Sequence, residues 1–214
     1  MQSSVIEFFA VGGPFMVPIA CVFALGVLIA LERWVYLTVT AARSRTLWAE
    51  VVPLLQRGDL RGVAERCQAS SSAIATVLGY GLARVANARR RDDVDLATHE
   101  GMMTVRPRLE RRTHYLATLA NIATLLGLLG TIMGLISAFT AVAGANAADK
   151  ADLLSGSISV AMNTTAFGLL VAIPLLIGHA LLRMKTTELT DSLQMASVKF
   201  LNTVVEQRGE VLAP

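Results

Sequence analysis

Charge is scarce and unevenly spread in this 214-residue chain: Asp, Glu, Lys and Arg make up 16% of it, and three long stretches contain none of them. Aromatic residues are few, at 6%, and there are only two cysteines and three histidines. Cys21 lies within an uncharged stretch and Cys67 beyond it, so they are not placed to pair, and a disulfide framework is excluded. No metal-ligand spacing of His, Cys or acidic residues occurs, so neither a metal nor a cofactor is expected. Basic residues are not interleaved with aromatics, which argues against a nucleic-acid partner despite a net charge of +3 and a pI near 9.2.

What the chain has instead is apolar residues, 54% of the total, with a mean hydropathy of +0.56. That is too apolar for an ordinary soluble domain and too long for a single anchor. One charge at the bilayer centre costs roughly 2.5 to 3.5 kcal/mol on insertion scales. The uncharged runs 8–31, 113–148 and 153–182 therefore read as membrane spans, each longer than the roughly 20 residues a crossing needs. The fold class expected is an all-α integral membrane protein with three transmembrane helices, the second and third extended into a cytoplasmic helical bundle. In order, the expectation is an external N-terminal segment (1–13), a first span (14–37), a cytoplasmic helical region (38–112), a second span (113–143), a short external loop (144–153), a third span (154–182) and a cytoplasmic helix and tail (183–214).

Orientation follows the basic residues. Thirteen Arg lie between Thr38 and Arg112, and Arg183, Lys185, Lys199 and Arg208 follow the third run, whereas Lys150 stands alone in the short connection. The positive-inside rule then puts the N-terminus outside and the C-terminus in the cytoplasm. Only Glu7 precedes the first run, with no basic n-region, so that run is expected to stay as a span rather than be cleaved as a signal peptide. Arg33, Trp34 and Tyr36 read as interfacial anchors, and the dense cluster RVANARRR (84–91) as a solvated helix end or a contact to lipid headgroups. Gly58 and Asp59 are placed to end one helix and cap the next, and the serines 70–72 to break again. Pro107 is placed to open a helix that continues without a breaker through RLERR (108–112) into the second span.

Within the spans, Gly127, Gly130 and Gly134 clear bulk from one side of the second helix, so another helix can approach closely; Gly168 and Pro174 in the third read as packing positions too. Thr124 and Thr131, with Asn121, project from a similar face of the second helix. In the third, Ser155, Ser159 and Asn163 lie four apart, flanked by Thr164 and Thr165. Two readings stay open for this polar set: hydrogen-bonding glue between helices, or a hydrated pore lining. No carboxylate lies in any span, and His114 and His179 sit near span ends, so a proton path would need a protonatable group brought by another polypeptide.

RLERR followed by LATLANIATLLGLLGTIMGLISAF, then ISVAMNTTAFGLLVAIP (158–174), together with GDLRGVAERC (58–67), resembles the MotA/TolQ/ExbB proton-channel family, in particular its ExbB and TolQ branch. The resemblance implies an inner-membrane homo-oligomer, a pentamer, around the single-span helices of an ExbD- or TolR-like partner whose intramembrane Asp carries the proton. It implies no enzymatic activity, and it places Thr131 and Thr165 beside that Asp as pore-lining residues, with Asn163, Ser159 and Thr124 extending the lining. Membrane lipids are the other expected partner. Many relatives carry Glu where this chain has Val160, which leaves a sodium-driven version of the motor open. A non-conducting membrane scaffold and a self-sufficient transporter are the competing readings; the second lacks the mid-membrane coupling groups it would need.

Overall fold

The structure is a computed structural model that describes residues 12–85, 88, 90–146 and 148–208, without the side chains of Gln207 and Arg208. The described residues form six helices: α1 (Met16–Gln56), α2 (Leu60–Ala69), α3 (Ala73–Val85), α4 (Arg91–Glu110), α5 (His114–Gly144) and α6 (Lys150–Arg208). Three helical stretches are long and apolar enough to cross a membrane, one each in α1, α5 and α6. The fold is thus that of an all-α, multi-pass membrane protein.

The helix boundaries have local causes. Gly13, at φ 76°, turns the chain into α1, which begins just after Pro14. After α1, Gly58 takes a left-handed conformation (φ 76°), and Asp59 caps α2 by accepting the Gly62 N–H at 2.9 Å. Ser70, in extended conformation, ends α2, and the Ser72 hydroxyl accepts the Ala75 N–H at 3.3 Å to start α3.

The chain divides into two compact units, Met1–Glu32 with Arg112–Leu182, and Arg33–Arg111 with Arg183–Pro214. The core of the first is Met16 and Ile19 of α1, Ala120 and Ala123 of α5, and Phe167, Val171, Ala172 and Leu175 of α6. Most other large side chains of that unit face outward, among them Leu125, Ile132, Phe139, Leu170 and Ile177. Water would make such a surface untenable; lipid tails solvate it as well as a protein interior does.

The second unit buries Val63, Cys67, Ile74, Val77, Leu78, Val94 and Val105 of its short helices against Leu47, Val51 and Leu55 of α1 and Leu189, Leu193, Phe200 and Val204 of α6. It therefore draws much of its core from continuations of the spanning helices, which compensates for the modest apolar content of 38–112. Close approach is tight at Gly81, where a Cβ would fall 2.7 Å from Thr98 Cγ2 and 2.8 Å from Phe200 Cε1.

Two expectations require correction. Pro107 lies inside α4, near its end, and the path from α4 to α5 is broken at residues 111–113, where Arg112 has φ 64°. A proline in a last turn costs a single backbone bond, and no glycine marks the turn, so the sequence pattern reads through it. Arg33 is not an exposed anchor. It is 4% exposed, its guanidinium donates to the Leu109 carbonyl at the end of α4, and it lies 4.7 Å from the centre of the Tyr36 ring. An orphan carbonyl of a helix C-terminus is thereby satisfied by a cation, the sign its dipole favours. Of the basic cluster, Arg91 opens α4 and donates to Asn202 at 2.9 Å, and Arg90 pairs with Asp92. Ala86, Asn87 and Arg89 of that cluster, and the N-terminal segment before Gly12, lie outside the described residues.

Two tests follow from this packing. Gly168→Ala puts a methyl 2.7 Å from the Ala123 carbonyl oxygen and 3.0 Å from Gly127 Cα, both backbone, whereas Gly156 has open space around it. Unfolding in detergent is expected to show Gly168→Ala destabilised by about 1 to 3 kcal/mol and Gly156→Ala unchanged or stabilised by up to about 1 kcal/mol. Burial pushes the Cys67 thiol from an ordinary value near 9.0 up to about 11. In a Cys21→Ala background, alkylation of the folded protein at pH 8 is expected to run about a hundredfold below that of the unfolded chain. Because the native thiol keeps a proton that the unfolded chain loses, folding stability falls as pH rises above about 9.

Candidate functional site

In the first unit α5 and α6 meet along their small residues. Gly127 faces Thr164, Thr165 and Gly168, with a Cβ there 3.3 Å from backbone atoms of all three. Gly130 abuts the Thr164 side chain, and Gly134 faces Ala161, whose Cβ would be 2.7 Å from an added methyl. Gly127 and Gly168 bring the two backbones into contact because neither has a side chain to hold the other off.

That approach lets hydroxyls cross the gap. The Thr165 hydroxyl is 2.9 Å from the Gly127 carbonyl oxygen of α5, and the Thr131 hydroxyl is 3.1 Å from the same oxygen, the bond of a threonine back to its own helix. The two hydroxyls also contact each other directly. Both threonines are half-buried, at the edge of the α5–α6 contact. The cluster has donors and acceptors and carries no fixed charge, so it can solvate an ion or an ionising group without titrating.

The remaining polar residues are placed differently. Thr124 is exposed on the same α5 stripe as Thr131, its hydroxyl bonded back to Ala120 at 3.1 Å. At about 100° per residue, Ser159 and Asn163 are turned about 120° and 160° round α6 from Thr165. Ser159 is exposed and Asn163 half-buried, and the structure does not bring them to the threonine pair. Pro174 is exposed within α6, away from the glycine contact.

Thr164, read from sequence only as a flank, is the most buried polar group of this set, at 2% exposure. Its hydroxyl lies 2.7 Å from the Gly12 carbonyl and 2.9 Å from that of Val160, and so ties the N-terminal turn to α6. No sequence signal distinguishes it from Thr165; only the helix-pair geometry does. Val160 also faces the turn, 3.1 Å from where a Cβ of Gly13 would stand, and helps line a cleft of about 330 Å³ with Gly13, Phe15, Gly134 and Ser157. It is turned about 140° from Thr165. A carboxylate at 160 would thus point at the N-terminal turn and not at the hydroxyl pair.

Among the described residues no group of three or more His, Cys, Asp or Glu could hold a metal ion. No curated protein matches the chain closely enough to report. The MotA/TolQ/ExbB proton channel family matches residues 69–195, more than half of the chain and inclusive of α5 with most of α6, and the chain belongs to that family.

Proposed function

We propose that the chain is the ring-forming subunit of an ion channel and motor driven by the proton motive force, which energises work in the envelope through an ExbD- or TolR-like single-span partner. The observation that supports this most is the Thr131–Thr165 pair, an uncharged hydroxyl cluster in spans that contain no carboxylate of their own. A proton pathway through low dielectric needs a group that titrates, and the hydroxyls do not. The partner's intramembrane Asp supplies it, alternating between charged and neutral forms, while Thr131 and Thr165 hold it and its water.

In this reading the chain forms a homopentamer in the bacterial inner membrane with its N-terminus outside and its C-terminus in the cytoplasm. Thr131, Thr165 and Thr124 face the lumen. A closed ring sets the free face of one α6 beside the next subunit, and Asn163 and Ser159 complete the polar lining there. Glycines 127, 130, 134 and 168 serve the pairing of α5 with α6 inside each subunit. The role is transport, not catalysis. The alternative of a non-conducting scaffold is separated by ion flux measured with and without the partner, since a scaffold conducts in neither case.

Thr131→Val and Thr165→Val keep the side-chain shape and remove the hydroxyl. A hydrogen bond to a charged group contributes about 1.5 to 3 kcal/mol, so proton flux through the reconstituted complex is expected to fall about tenfold or more with ring assembly intact. Unchanged flux in both variants removes the pore assignment, and flux that follows sodium rather than pH replaces the proton by sodium.

A further inference from the structure

In the second unit α1 and α6 lie side by side and leave a groove of about 290 Å³. Its lining on α1 includes Leu37, Thr38, Ala41, Ser44, Arg45 and Trp48, a run at helical spacing on one face. On α6 it includes Lys185, Glu188, Leu189, Ser192 and Leu193, again one face. The groove thus combines apolar walls with a few charged and hydroxyl side chains.

Three features point to an occupant. Lys185 is held in place, with its ammonium 3.7 Å from the centre of the Trp34 ring and 2.8 Å from the Thr38 hydroxyl oxygen. Among the described residues it forms no ion pair, so a fixed cation faces the groove with no carboxylate in contact with it. It stands three residues past Leu182, the end of the uncharged run of α6, or about 4.5 Å along the axis, within the headgroup zone of a bilayer. Six residues beyond Thr38, about 9 Å along α1, Ser44 is 4% exposed and its hydroxyl has no hydrogen-bond partner among the described residues. Near it Glu188 and Ser192 add acceptors and a further hydroxyl.

We infer that this groove binds the headgroup of an anionic phospholipid that bears free hydroxyls, phosphatidylglycerol being the simplest. The phosphate sits against Lys185, whose ammonium is held over the Trp34 indole face and by the oxygen of Thr38, a hydroxyl that itself donates to the Trp34 carbonyl at 2.7 Å. The glycerol extends outward along the groove and reaches the Ser44 hydroxyl and the Glu188 carboxylate, which accept from its hydroxyls. Acyl chains then leave the groove along α1 past Val35, which is exposed. Glu188 sets the selectivity: it accepts from a polyol and repels the carboxylate of phosphatidylserine. The site owes nothing to the pore reading and stands or falls separately.

The test is native mass spectrometry of the full-length protein from detergent, titrated with phosphatidylglycerol, phosphatidylserine and phosphatidylcholine. Phosphatidylglycerol is expected to be retained at least about tenfold better than either of the others. Lys185→Gln is expected to abolish that preference, Lys185→Arg to keep it, and Arg183→Gln, which alters an exposed neighbouring cation outside the groove, to leave it unchanged. Thr38→Val, which keeps both helices intact, is expected to weaken retention several-fold and serves if Lys185→Gln does not fold. Millimolar inorganic phosphate is expected not to displace the lipid. Equal retention of the three lipids, equal loss in Arg183→Gln and Lys185→Gln, wild-type retention in both Lys185→Gln and Thr38→Val, or displacement by inorganic phosphate each overturns the assignment.

Discussion

The contact of two bare backbones, at Gly127 and Gly168, is what the membrane unit depends on. Lipid offers no hydrophobic drive to pair helices, so α5 and α6 must gain from van der Waals contact and hydrogen bonds across a short gap. A methyl on either glycine would push the helices apart. The hydroxyl of Thr165 could then no longer reach the Gly127 carbonyl across the gap, and the pairing with Thr131 would be lost with it. Packing and candidate chemistry therefore share a single determinant, which is why small residues and threonines occur together on these helices.

The second unit solves a different problem. Its short helices α2 to α4 carry too little apolar surface for a core of their own, and they borrow Leu47, Val51, Leu189, Leu193 and Phe200 from the long helices. Arg33 contributes from within: at 4% exposure it closes the C-terminus of α4 through the Leu109 carbonyl. A buried guanidinium is costly unless its donors are engaged and its charge compensated, and a helix C-terminus with an aromatic ring nearby supplies both an acceptor and a favourable dipole.

Much of this was legible from the chain alone, for stated reasons. Span number rests on insertion costs so large that three uncharged runs leave little freedom, and the cap at Asp59 follows from local hydrogen bonding. The glycine stripe of α5 and Thr165 were visible as residue types. What the sequence could not show is which neighbour each faces. Thr164 and Thr165 are adjacent and chemically identical, yet one ties down the N-terminal turn and the other meets Thr131. The break at Arg112 was illegible because a left-handed arginine leaves no compositional mark, and Arg33 looked like any interfacial arginine. Ser159 and Asn163 shared a stripe with one another but not with Thr165, a distinction that helical phase alone would have given.

The hydroxyls of Thr131 and Thr165 own two protons between them, against three close oxygen–oxygen approaches that include the Gly127 carbonyl. One approach must always lack its hydrogen, and which one is a matter of rotating an O–H bond, with no heavy atom displaced. The seam can therefore offer a lone pair at one moment and a hydrogen at the next. Donor and acceptor thus trade places within the seam while both backbones stay still.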